Sequence, residues 1–165
     1  MLRNRPTLKV VNVEGAVRGD GEVRQMLDRA RSGFTRYGFG ETPHPVDLAR
    51  PWSNGRWQDA QWLRGVRDLL AWVAGDRDTG PLAGVRAVAP SYSDLCDDLD
   101  RSDEIMRQGL SYPVTRGLPP PQTAEGAEAA FRWLVGWTDV PPVCEHCLGV
   151  YGDACSVLFE SAAAQ

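Results

Sequence analysis

The residues of this sequence best suited to chemistry are four cysteines and a histidine that lies between two of them. Cys144, His146 and Cys147 fall within four positions, and Cys155 follows eight residues after the pair. Zinc prefers thiolate and imidazole ligands in tetrahedral geometry, and a Cys-x-x-Cys pair on a turn directs two sulfurs at one ion. Prolines before the pair and Gly149 after it predict a loop. These four residues are the candidate metal ligands.

Two observations argue against a complete zinc site. His146 stands between the two cysteines of the pair, where its ring has difficulty reaching an ion that both sulfurs bind. Cys155 and the fourth cysteine, Cys96, occupy matching positions on the apolar faces of two predicted helices, where a cysteine behaves as a small hydrophobe. We therefore favour a protein without a cofactor, and zinc bound in this loop is the alternative.

Enzymatic chemistry has less support. A histidine inside a Cys-x-x-Cys pair lowers a thiol pKa, but a redox dithiol needs its first cysteine at a helix start, and glycines interrupt any helix here. His44 and His146 are the only candidate imidazole bases, and no glycine pattern matches a phosphate-binding loop. Acidic residues over 94–104 fall mostly off the apolar stripe and predict a solvated face. We expect no enzyme; a small redox or metal-dependent enzyme is the second alternative.

Tryptophan is the other unusual residue, with six in 165 positions. Four of them fall away from the strongest apolar stripes of the predicted helices, at Trp57, Trp72, Trp133 and Trp137. Exposed aromatic side chains anchor protein–protein interfaces. We therefore predict that these four residues bind partner proteins.

Apolar residues at helical spacing predict the elements that must position these groups. Residues 8–13 are typical of a strand because of their β-branched content. Gly33 is expected to end the first helix, and Ser91 with Asp94 predicts a capping box at the start of the third. The predicted helices cover residues 22–32, 57–74, 91–108, 123–137 and 154–163.

An internal repeat connects these helices. Residues 65–82 align without a gap with residues 126–143, matching a glycine, a tryptophan, a second glycine, an aspartate and a proline. A shorter block, 92–99, matches 151–158. A single hairpin cannot cover its own apolar faces, so two copies are expected to pack together.

The predicted fold class follows from the repeat and the helices. We predict a mainly α-helical chain in which two helix–loop–helix hairpins, 57–109 and 118–163, form a pseudo-symmetric four-helix unit. Together they make a helical domain over 57–165. An N-terminal arm with a short strand and a helix, 1–40, and a connector, 41–56, precede that domain.

Composition narrows the function classes. A net charge of -4 argues against nucleic-acid binding by bulk charge, and no apolar run is long enough for a membrane helix. The start of the chain does not resemble a signal peptide, so we expect a cytoplasmic protein. Lys9 is the only lysine among eighteen basic residues, which suggests a GC-rich bacterial or phage genome.

These observations favour binding over catalysis. We expect a structural or adaptor subunit of a multi-copy assembly, such as a phage connector or accessory protein, with other subunits as its partners. A small zinc-binding regulatory protein that uses the Cys144–Cys147 loop is the alternative.

Overall fold

A computed structural model describes residues 13–37, 55–108, 119–145 and 148–149. Within these ranges the chain forms helices and, between Thr79 and Arg86, an isolated antiparallel bridge, but no strand, which confirms the mainly helical prediction. Most of the predicted N-terminal strand and the whole of the helix predicted over 154–163 lie outside the described residues. The helices are α1 (Asp20–Tyr37), α2 (Gly55–Val73), α3 (Tyr92–Leu99), α4 (Arg101–Gln108) and α5 (Pro121–Leu134).

Helices α2 and α5 form the most extensive helix pair of the described chain. They cross at two glycines. A Cβ atom on Gly65 would lie 2.0 Å from the carbonyl oxygen of Thr123, and one on Gly126 would lie 2.0 Å from that of Trp62. The contact is reciprocal, because each of these carbonyls belongs to the residue three positions before the facing glycine. Glycine at both positions therefore allows the two backbones to touch.

The two central helices also end in the same way. Gly75 follows α2 with a φ of +81°, and Gly136 follows α5 with a φ of +76°. The N–H of each glycine donates to the carbonyl of the tryptophan three positions earlier, Trp72 at 3.1 Å and Trp133 at 3.2 Å. The next N–H reaches the carbonyl five positions before it, at 2.8 Å and 2.9 Å. This pair of bonds is the Schellman motif, in which a left-handed glycine closes a helix.

Helix α1 is longer than predicted. It continues through Gly33 to Tyr37, so the expectation that Gly33 ends it is wrong. A Cβ atom on Gly33 would lie 2.0 Å from the carbonyl oxygen of Leu148. This glycine therefore allows the 144–149 loop to pack directly on the helix. The buried apolar face of α1 consists of Val23, Met26, Leu27, Ala30 and Phe34.

The helix predicted over 91–108 is divided in two. Its start is as expected, because the Oγ of Ser91 accepts from the N–H of Asp94 at 3.1 Å, and the Asp94 carboxylate accepts from the N–H of Ser91 at 2.8 Å. This confirms the capping box. Asp100 then separates α3 from α4, a break that the apolar spacing does not signal.

A buried carboxylate holds the loop that precedes α3. Asp98 has no exposed surface, and it accepts hydrogen bonds from the backbone N–H groups of Leu82 at 2.9 Å, Ala83 at 2.9 Å and Val85 at 3.3 Å. A charged acceptor satisfies several loop donors at once. The prediction that residues 94–104 form a solvated acidic face is therefore wrong at Asp98.

Arginines from the N-terminal part of the chain bind the C-terminal ends of both central helices. Arg24 donates to the carbonyl of Ala74 at 3.0 Å and to the Asp76 carboxylate at 2.8 Å, beyond α2. Arg18 donates to the carbonyl of Trp133 at 3.0 Å, at the end of α5. The carbonyl-rich end of a helix favours cations, so these contacts attach the N-terminal segment to both helices.

No helix in the described part of the chain combines the length and apolar character required to cross a membrane.

Candidate functional site

Two of the four predicted partner-binding tryptophans are buried. Trp72 has no exposed surface, and Trp133 retains 5%. The indole N–H of Trp72 donates to the carbonyl of Ala87 at 2.9 Å, and the guanidinium of Arg18 lies 5.1 Å from the centre of the Trp133 ring. The prediction that these tryptophans are exposed anchors is therefore wrong.

The burial has a clear physical cause. A loop after α2 covers the side of that helix that its own apolar stripe leaves open, and the segment before α1 covers the end of α5. Both tryptophans form part of the hydrophobic core as a result. Neither cover is encoded in the helical periodicity, because each comes from residues outside the helix that it covers.

Trp137 is on the surface, as predicted. Its side chain is 67% exposed, and its ring meets that of Phe131 edge-on, with 5.5 Å between centroids. Val140, three positions later, is 51% exposed. The side chain of Trp57, the fourth predicted anchor, lies outside the described residues.

Two surface grooves meet at Arg132. The first, which we call the acidic groove, has a volume of about 250 Å³ and lies between α3, α4 and α5. The second, the apolar groove, has a volume of about 210 Å³ and lies beside the residues that follow α5. The acidic groove is lined by Cys96, Leu99, Asp100, Asp103, Glu128, Phe131, Arg132 and Trp137. The apolar groove is lined by Trp62, Ala129, Arg132, Thr138, Val140, Pro141 and Pro142. We call the two grooves together the Trp137 surface.

Negative charge collects around the first of these grooves. One oxygen of Glu128 accepts a hydrogen bond from the Oγ of buried Ser102, and the other lies 4.0 Å from a guanidinium nitrogen of Arg132. Burial, and then the neighbouring Glu128 carboxylate, raise the pKa of Glu125 above its usual value. Glu125 lies outside the groove itself. The charged residues that line the groove are Asp100, Asp103, Glu128 and Arg132, three acidic residues and one arginine.

The cysteine loop is closed by its backbone. The N–H of Cys144 donates to the carbonyl of Gly149 at 3.0 Å, and the N–H of Leu148 donates to the carbonyl of Cys144 at 2.9 Å. Leu148 adopts a φ of +53°, a left-handed conformation uncommon for a non-glycine residue. Arg29 on α1 pairs with Glu145 at 3.3 Å, so the loop is fixed to the first helix.

This geometry positions one of the predicted metal ligands. Cys144 is buried, whereas the other candidate ligands, His146, Cys147 and Cys155, lie outside the described residues. The described ranges alone contain no cluster of three or more potential metal ligands. Cys96, predicted on an apolar helix face, packs against the core, but it is only half-buried and also lines the acidic groove.

Comparisons with protein-family models, curated proteins and solved structures found no match for this chain.

Sequence reasoning identified Trp137 but not the grooves beside it. Asp100 and Asp103 were assigned to a solvated face, and Val140 and Arg132 were not singled out. The available signal was the repeat, because it aligns Gly136 with Gly75 and so places Trp137 just beyond a helix end, where a large side chain leaves the core.

Proposed function

We propose that this protein is a non-enzymatic, protein-binding subunit of a multi-copy assembly, and that neighbouring subunits dock on its Trp137 surface. The exposed indole of Trp137 carries the proposal. Aromatic and arginine side chains are enriched at protein interfaces, and both types are present where the two grooves meet. Trp137 replaces the buried Trp72 and Trp133 as the main anchor.

The setting of Trp137 suits it to this role. Its ring already makes an edge-to-face contact with Phe131, so a partner would have less side-chain motion to immobilise, and binding would cost less entropy. Val140 extends the apolar area across Arg132 into the apolar groove. Tryptophan and arginine are the residue types most often found as anchors at protein–protein contacts.

The proposal includes a duplicated architecture. Support comes from the reciprocal glycine contact between α2 and α5, and from the identical closures at Gly75 and Gly136. Both features fall at positions that the sequence repeat equates. A duplicated hairpin of this kind in a small protein fits a cytoplasmic adaptor or phage accessory subunit of a GC-rich bacterial system.

Sedimentation velocity of the purified protein tests the assembly role. We expect a concentration-dependent oligomer that is lost in Trp137→Ala and in Val140→Asp. Val88 is 71% exposed and lies outside both grooves, so Val88→Asp is a matched control and should assemble normally. Circular dichroism confirms that each variant is folded. A wild-type monomer at every concentration, or equal loss in all three variants, would overturn the proposal.

A zinc-binding regulatory protein is the second candidate, favoured by the closed 144–149 loop. Backbone bonds at Cys144 and the left-handed Leu148 fix one end of the Cys-x-x-Cys pair, and fixed backbone geometry favours metal binding by thiolates. Native mass spectrometry reports bound metal and subunit number together. One zinc per chain, lost in Cys147→Ser but not in Cys96→Ser, would support this candidate, and a metal-free chain purified with added zinc would exclude it.

A further inference from the structure

The acidic groove combines two features that favour the same kind of ligand. One wall carries the aromatic rings of Phe131 and Trp137, and the other carries Asp100 and Asp103 of the α3–α4 segment. Its volume of about 250 Å³ falls just below the roughly 300–1,000 Å³ of typical small-molecule pockets. The groove therefore suits one or two side chains of a partner protein better than a cofactor.

The charges of the groove are only partly compensated. Glu128 has Ser102 and Arg132 as partners. In the described part of the chain, Asp100 and Asp103 form no ion pair with any arginine. An aliphatic partner would remove these two carboxylates from water without replacing their hydrogen bonds, which is unfavourable. An acidic partner would be repelled.

An arginine side chain satisfies both walls. Its planar guanidinium stacks on an indole ring, and it donates several hydrogen bonds to carboxylates in a fixed geometry. A lysine ammonium pairs with a carboxylate but, being a compact and strongly hydrated charge, uses the aromatic wall less well. Arg132 lines the groove as well, but its carboxylate partner there is Glu128, at 4.0 Å.

We propose that the acidic groove binds an arginine side chain of a partner protein, with its guanidinium against Trp137 and its N–H groups directed to Asp100 and Asp103. This inference rests on the proposed function, because it specifies what a neighbouring subunit presents to the Trp137 surface. It also names a chemistry that can be tested without knowing that subunit.

Two synthetic peptides provide the probe: one of alternating alanine and arginine, and one in which citrulline replaces every arginine. Citrulline keeps the shape of the side chain and removes its charge. The readout is the NMR signal of the Trp137 indole N–H, assigned with Trp137→Phe. We expect this signal to shift when the arginine peptide is added and to shift much less with the citrulline peptide. Adding salt to the arginine peptide sample should move the signal back to its position in the free protein.

Substitutions test whether Asp100 and Asp103 are the carboxylates that bind the arginine side chain. The double variant Asp100→Asn with Asp103→Asn should lower the affinity for the arginine peptide about tenfold, since it removes two charge-assisted contacts. Asp97→Asn changes an exposed carboxylate of the same segment outside the groove and should bind like the wild type. Equal binding of both peptides, or wild-type affinity in the double variant, would overturn the inference.

These outcomes separate the inference from the assembly role. Assembly that depends on Trp137, without arginine selectivity, would refute the arginine ligand and keep the contact surface. Arginine-selective binding in a protein that stays monomeric would keep the ligand and refute the multi-copy assembly.

Discussion

Asp98 illustrates how one side chain organises its surroundings. Its buried carboxylate accepts from three backbone N–H groups of the loop 82–85. Gly80 packs so closely that a Cβ atom there would lie 2.1 Å from the nearest carboxylate oxygen. A buried charge is unfavourable unless it is fully hydrogen-bonded, and here the loop supplies the bonds. Asp98 therefore has a structural role rather than a place in the acidic groove.

The substitution Asp98→Asn tests this role. The amide group replaces an acceptor by a donor that faces backbone N–H groups, so we expect the free energy of unfolding to fall by about 2 kcal/mol. Urea denaturation at neutral pH measures the change. Asp97→Asn, on the exposed neighbour, should change it by less than about 0.5 kcal/mol. Equal effects of the two substitutions would contradict the structural role.

Residue type and spacing do not distinguish the buried tryptophans, Trp72 and Trp133, from the exposed Trp137. Periodicity predicts one buried face for each helix, and Trp72 and Trp133 lie off that face. Their burial comes from Ala87 and Arg18, which lie in other segments of the chain. The exposure of Trp137 agrees with the prediction, but the helix predicted over 123–137 ends at Leu134, so Trp137 follows the helix instead of lying within it. Exposure of a side chain is thus predictable where the local chain determines it.

Helices were easier to predict than single contacts. Four of the predicted helices are present in the described ranges because their apolar spacing is strong. Their limits differ where tertiary contacts decide. Helix α1 passes through Gly33, which lets the backbone at Leu148 pack against the helix, and Asp100 divides the helix predicted over 91–108. The spacing of apolar residues predicts neither the continuation of α1 through Gly33 nor the break at Asp100.

The crossing of α2 and α5 gives a prediction at the scale of elements. Gly65→Ala and Gly126→Ala should each lower the free energy of unfolding by about 3 kcal/mol, because the new methyl group meets a backbone carbonyl that cannot rotate away. The control is Gly21→Ala in the first turn of α1, where a Cβ atom meets nothing within 4 Å. Because alanine favours helix, we expect Gly21→Ala to add about 0.5 kcal/mol or more.

Thermal or urea unfolding of the three variants measures these changes in the free energy of unfolding. If Gly65→Ala were as stable as Gly21→Ala, the helices would not be in backbone contact. The reciprocal geometry further predicts that the two central substitutions have similar effects.

Ion pairs join the N-terminal helix to the segment that follows α2. Asp76 pairs with Arg24 at 2.8 Å and with Arg31 at 2.9 Å. Burial alone would raise the pKa of Asp76, but the hydrogen bonds and positive charge of the two arginines outweigh it and lower that pKa below its usual value.

A dependence of stability on pH follows from this shift. Since the pKa of Asp76 is lower in the folded state, the stabilisation that it provides is present above about pH 4 and is lost as the pH falls through the folded-state pKa. The difference in unfolding free energy between wild type and Asp76→Asn should therefore shrink from pH 7 to pH 3. Asp78→Asn, on an exposed neighbour, provides the control. A difference that stays constant over this range would refute the assignment.

The contacts of Arg18 have a consequence for how the chain is made. Its partners, Trp133 and Asp139, lie 115 and 121 positions later in the sequence. The partner of Arg29, Glu145, lies 116 positions after it. A chain synthesised from its N-terminus presents these arginines more than a hundred residues before their partners. Closing such long loops is entropically costly and slow. Helix α1 can therefore pack on α2 and pair with Asp76 early in synthesis, whereas the contacts of Arg18 and Arg29 form only after residues 133–145 have been made.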